Sequence, residues 1–148
     1  MKKTFILICI STLVIISCVF AKYVEYSRKQ NEIQKINKEF LLYQNSDIKI
    51  NTIVSIINKA IQLNKTNKIQ QDNKKIFIEN ETNSLKIYLE TKSSEDENLK
   101  IPMEELILNE KAGIEKVEYA FSDLTFTITN IQYHKKSGQV KSITFTQK

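Results

Sequence analysis

The side chain best suited to proton chemistry in this 148-residue chain is its only histidine, His134. A general base needs an orienting partner and a cleft, and a metal site needs companion ligands. His134 instead follows Tyr133 and precedes Lys135 and Lys136 at the mouth of a hairpin, where a half-exposed structural residue is expected. The acids Glu95, Asp96 and Glu97, with Glu104 and Glu105 nearby, supply oxygen ligands of the type Ca²⁺ takes. They lack the alternating D-x-D-x-D-G spacing that wraps oxygens around an ion, so a solvated acidic loop is expected. Asn80-Glu81-Thr82 matches a glycosylation sequon, which carries no weight if the source is bacterial. With two glycines, Gly113 and Gly138, no phosphate-cradling loop can be built, and no G-x-S-x-G elbow is present. The expectation is a protein that is not an enzyme and has no catalytic, cofactor-binding or metal-binding residues.

Both cysteines, Cys9 and Cys18, fall in an uncharged run, residues 4–21 (TFILICISTLVIISCVFA), behind Lys2 and Lys3. The rest of the chain therefore has no disulfide framework and no thiolate. A bilayer core of about 30 Å takes about 20 apolar helical residues. Extending the run through Tyr23 and Val24 reaches that length and sets tyrosines at the interfacial depth. Three fates fit: a retained anchor, a signal peptide cut after Ala21, or a lipoprotein signal in which Ile15-Ile16-Ser17-Cys18 is the lipobox. The retained anchor is adopted, because hydrophobicity continues past Cys18 and no flexible tether follows it. Lys22, Arg28, Lys29 and Lys35 would hold the C-terminal side in the cytoplasm by the positive-inside rule. The short basic start abutting the apolar run is the geometry of a signal-anchor, which sends that side outward. The outward orientation is the expectation.

The net charge of +5 is unevenly spread. Residues 22–75 hold an excess of six basic groups, and residues 76–148 an excess of three acidic ones. Lysines next to a membrane are attracted to anionic lipid at about 1 kcal/mol each. With Arg28 as the only arginine and no basic groove interleaved with aromatics, nucleic-acid binding is excluded.

These segments must be positioned by a small set of elements. Residues 22–45 contain no Gly or Pro, and Tyr26, Ile33, Ile36, Phe40 and Tyr43 form a short a/d seam. The seam reads as a long helix whose last turns lie on its own domain, or as a coiled-coil stalk through residues 26–43 that joins copies of the chain. Asn51 caps a second helix, from Thr52 to about Leu63. Strands are expected at Lys75–Glu79 and Leu85–Thr91 around a turn at 80–84, and at Leu124–Tyr133 and Val140–Thr146 around Gly138. Between the pairs lie the acidic loop Ser93–Asn98 and a helix opened by Pro102 and running to about Glu110. A further helical stretch carries Ile114, Val117, Tyr119, Ala120 and Phe121.

The predicted architecture is α+β: a long N-terminal transmembrane and stalk helix, then a small domain with two further helices and a four-stranded antiparallel sheet. The predicted organisation is a cytoplasmic tail at 1–3, a transmembrane helix at 4–24, a helical stalk at 25–45 and an extracytoplasmic α+β domain at 46–148.

The stretches YSRKQNEIQKINKEF, INTIVSIINKAIQLNK and TNIQYHKKSGQVKSITF, behind a lysine-flanked anchor, resemble small uncharacterised single-pass membrane proteins of low-GC Gram-positive bacteria. The resemblance implies a bacterial cell-membrane location and no particular mechanism. The expected function is a membrane-anchored, extracytoplasmic structural or protein-interaction module, with the lipid bilayer and an envelope protein as partners. The alternative is a pseudopilin-like assembly subunit. Type IV pilins carry a glycine before an aromatic residue or methionine and then an early glutamate. Here Thr4 precedes Phe5, and no acid occurs before Glu25.

Overall fold

A computed structural model describes the backbone of residues 2–91, 99–102, 104, 106, 115 and 117–148, and side chains at these positions except 2–11 and 99. The chain divides into two compact units, residues 1–35 and 36–148. Helix α1, Lys2–Leu41, contributes to both.

In the first unit, α1 exposes Leu13, Val14, Ile15, Ile16, Val19 and Phe20, each by more than half its surface. Four consecutive residues cover a full helical turn, so the apolar surface runs round the helix. Ser17 donates its hydroxyl proton to the Leu13 carbonyl at 2.8 Å. Farther along, Glu25–Lys29 at 2.9 Å and Arg28–Glu32 at 3.9 Å are surface (i, i+4) pairs. Such pairs contribute a few tenths of a kcal/mol each, about 0.2–0.5. Among the described residues, no helix is long and apolar enough to cross a membrane. The side chains of residues 4–11, the first half of the apolar run, lie outside the described residues, and the described remainder is too short for a span.

The second unit is α+β with a mixed five-stranded sheet. After α1 come β1 (Ile48–Lys49), α2 (Ile50–Thr66), β2 (Lys86–Thr91), β3 (Leu99–Pro102), β4 (Thr125–Tyr133) and β5 (Val140–Gln147). The spatial order is β1-β4-β5-β2-β3. The pair β2–β5 is parallel, and the other three pairs are antiparallel.

This corrects the expected four antiparallel strands. Residues 75–79 do not join the sheet and make only a lone bridge, Gln71 to Phe77. The cause is local: the Asp72 carboxylate accepts from the Lys74 and Ile76 amides, and Lys75 takes φ +63°. The chain therefore turns where a strand would run straight, and Phe77 is buried as a loop residue. Without a hairpin partner before it, β2 lies between β5 and β3. Pro102 closes β3 rather than opening a helix, as suits a residue that cannot donate to a ladder. Residues 104 and 106 are helical just beyond it, as are 115 and 117–120, and the rest of those expected helices lies outside the described residues.

Helix α2 begins one residue before the expected Asn51 cap, because β1 runs directly into it. Lys49 occupies the cap position with no side-chain bond. Ile50, Ile53, Val54, Ile56, Ile57 and Ala60 are its buried apolar side chains. They join Ile87, Leu89, Phe126, Ile143 and Phe145 in a single core. Fully burying an aliphatic or Phe side chain contributes about 1.5–3 kcal/mol. In the parallel register Ile87 stands beside Ile143 and Leu89 beside Phe145, while Lys86 and Tyr88 pair with Ser142 and Thr144 on the other face. Lys86, Ser142 and Thr144 are buried as well, so the sheet centre is covered on both faces. Phe40 is buried in the same core, and Ile36 and Tyr43 pack against it.

Candidate functional site

Several polar side chains of the second unit converge on the loop before β2. Asn80 Oδ1 accepts from the amides of Thr82, Asn83 and Ser84, closing the loop on itself. Its amide nitrogen donates to Asn83 Oδ1 at 2.7 Å, so both ends of the sequon asparagine are engaged within the loop. From α2, the buried Asn64 donates to the Leu85 carbonyl and accepts from the Leu85 amide, both at 2.8 Å. One turn later Asn67 donates to the Asn83 carbonyl at 2.8 Å.

The β4–β5 hairpin holds the loop from the other side. His134 Nε2 lies 2.6 Å from the Ser84 carbonyl oxygen. A carbonyl can only accept, so Nε2 carries the proton and the ring is fixed as a donor there. His134 is 3% exposed, which corrects the half-exposed residue expected from a hairpin mouth. The hairpin closes over it, with its amide donating to the Gln139 carbonyl and its carbonyl accepting from Gly138. Gly138 takes φ +75°, the backbone state anticipated for that position. Ser137 donates to the Thr82 carbonyl, and Lys136 pairs with Glu81. At the end of α1, Asn37 donates to the Gly138 carbonyl and accepts from the Val140 amide, both at 2.8 Å.

Sequence reasoning missed the two double-bonded asparagines, Asn37 and Asn64. Their partners lie 101–103 and 21 residues away, so no local spacing marks them. Glu104, named as a possible cation ligand, is buried and pairs with buried Lys86 at 2.6 Å. Among the described residues, its second oxygen, Oε2, is buried and has no hydrogen-bond partner. Glu95, Asp96, Glu97 and Glu105 lie outside the described residues, as does Gly113. Among the described residues no group of three or more His, Cys, Asp or Glu side chains could hold a metal ion.

Beside this polar frame, Tyr88 lies under the Lys100 ammonium, 4.4 Å from the ring centroid. Burial raises the Tyr88 phenol above its ordinary range. Glu79 and Glu104 add to the rise, and Lys141 opposes it.

Two of the concave surfaces among the described residues border β4. One, of about 640 Å³, is lined by Glu79, Glu81, Tyr133 and Lys135 among others. Its other charges are already paired, Lys141 with Glu79 at 2.6 Å and Lys136 with Glu81. The second, of about 360 Å³, runs along β4 and is lined by Gln44, Ile128, Thr129, Asn130, Ile131 and Tyr133. Within the polar frame, Asn37, Asn64, Asn67 and His134 each bond backbone groups of the same chain.

No family model matches the chain, and neither a curated protein nor a solved structure matches it significantly.

Proposed function

We propose that the protein is a membrane-anchored, non-catalytic structural or protein-interaction module of the bacterial cell envelope, with residues 46–148 outside the cytoplasm. The observation that carries this reading is the apolar surface of α1, exposed on all sides from Leu13 to Phe20. Apolar surface that runs round a helix marks a lipid-facing or fully packed segment. The Ser17 hydroxyl turned back onto the Leu13 carbonyl suits a medium with no water to bond. Lys2 and Lys3 before the run and Lys22 after it place charge at both margins. Alkaline carbonate extraction of native membranes, followed by protease treatment of intact cells, tests the proposal. The module should remain in the pellet, and its domain should be cut from outside. Release into the supernatant, or protection of the domain in intact cells, opposes it.

A pseudopilin-like subunit is the second reading, favoured by a helix of 40 residues that leads into an α+β domain. It requires removal of a leader before Phe5, which the same extract reveals by its amino terminus.

A further inference from the structure

The cations of the second unit are unevenly neutralised. Beyond residue 80, Lys86, Lys100, Lys136, Lys141 and Lys148 each pair with a carboxylate. Before it, Lys65, Lys68, Lys74 and Lys75 are exposed and, among the described residues, form no ion pair. Asp72 is the only acid from Ile48 to Ile78, and its carboxylate is bonded to the Lys74 and Ile76 amides. The backbone gathers the four lysines on one projection. Lys65 lies in the last turn of α2, and the Lys68 amide donates to its carbonyl at 3.0 Å. The chain then doubles back, with the Ile78 amide donating to the Gln70 carbonyl at 2.8 Å and the Asp72 amide to the Ile76 carbonyl at 2.9 Å. Lys74 and Lys75 therefore stand at the tip of this loop, and Ile78, an exposed apolar side chain, at its base.

We infer that Lys65, Lys68, Lys74 and Lys75 form a docking surface for anionic lipid headgroups of the bilayer that holds the anchor. The inference rests on the anchored reading of the chain and adds a second membrane contact to it. Charge and side-chain type select that occupant. Each lysine near an anionic lipid surface strengthens attraction by about fivefold. A lysine is a compact point charge on a flexible stem, suited to a fluid array of headgroups, whereas fixed phosphate sites favour the planar arginine fork. Residues 48–78 hold no arginine, and their one aromatic, Phe77, is buried. The surface therefore offers neither base-edge readout nor a stacking platform for a nucleic acid. Ile78 supplies the apolar side chain that enters the headgroup boundary beside such lysines. The anchor in the same chain keeps headgroups at high effective concentration, so loose charge pairing suffices.

The test uses the full chain with Cys9→Ser and Cys18→Ser, which leaves no other thiol. It is reconstituted in vesicles of phosphatidylcholine alone or mixed with phosphatidylglycerol. Asn73→Cys at the loop tip carries a fluorophore, and a lipid spin-labelled on its headgroup quenches it on approach. Ser122→Cys is the control. It lies just before β4, whose start pairs with β1 at the other end of α2 from Lys65, more than about 20 Å along the helix. Anionic vesicles should quench the tip, neutral ones should not, and added salt should reverse the effect. Lys65→Gln, Lys68→Asn, Lys74→Gln and Lys75→Asn together should lower the docked-to-free ratio by about tenfold or more. Asparagine is chosen at 68 and 75 because both positions hold positive φ. An unchanged melting temperature shows that the variant folds. Equal quenching by neutral and anionic vesicles, equal quenching at 122, or full quenching of the folded variant would overturn the inference. Shielding of the tip by soluble polyphosphate with no response to anionic vesicles would overturn it too, and would assign the surface to a dissolved polyanion. Failure of the chain to float with neutral vesicles counts against the anchor alone, because the added response to anionic lipid is read separately.

Discussion

The carboxamide of Asn64 and the backbone of Leu85 exchange two hydrogen bonds of 2.8 Å, one in each direction. Asn64 thereby satisfies both backbone groups of a fully buried residue at the start of β2, as a neighbouring strand would. Asn37 does the same for the Val140 amide and Gly138 carbonyl at the start of β5. The two parallel strands at the sheet centre are thus each begun by an asparagine from a helix.

Asn64→Ala orphans two buried backbone groups, each costing about 1–3 kcal/mol. Chemical denaturation should show the loss as a lower midpoint with an unchanged slope. Asn64→Asp keeps the acceptor and loses the donor, so it should fall between the two.

Lys86 and Glu104 are both buried and face each other at 2.6 Å. Lys86→Met strands the carboxylate and should cost about 3–5 kcal/mol. The double variant Lys86→Met, Glu104→Met should recover most of that loss, because replacing a whole buried pair by apolar residues is commonly neutral or better. A double-mutant cycle from urea unfolding measures both.

Burial, then Glu79 and Glu104, raise the Tyr88 phenol above its ordinary value. The folded state therefore holds the proton more tightly than the unfolded state does. The stability this gives is complete below the unfolded value of about 10, and it is lost as pH rises through the folded value. Absorbance titration of the phenolates should show Tyr88 ionising late. Tyr88→Phe should flatten the alkaline loss of stability, and equal alkaline slopes in both proteins would contradict the assignment.

Gly138 holds φ +75°, and a methyl group added there would meet no atom within 4 Å. Gly138→Ala should therefore cost the backbone term alone, about 1–2 kcal/mol. A larger fall in melting temperature would mean that the hairpin has shifted from His134.

Elements written in local pattern were legible. The isoleucine stripe of α2, the alternation of β2 and the strand–glycine–strand run of β4 and β5 are carried by neighbours in sequence. Ile76, Phe77 and Ile78 imitate a strand equally well, and only the Asp72 turn, with Lys75 at positive φ, reveals that they form none. β1 is too short to leave a pattern, and β3 ends in the proline that signals a helix start. The parallel pairing of β2 with β5 is a tertiary choice that no local spacing encodes. Burial of His134 likewise depends on the Ser84 carbonyl, 50 residues away.

The intact mass of the protein extracted from its native membrane tests the proposed anchor most directly. A retained anchor predicts the mass of the whole chain, 17.3 kDa, with residues 1–21 present. A chain beginning at Cys18 with attached acyl groups, or at Lys22 with none, would contradict it.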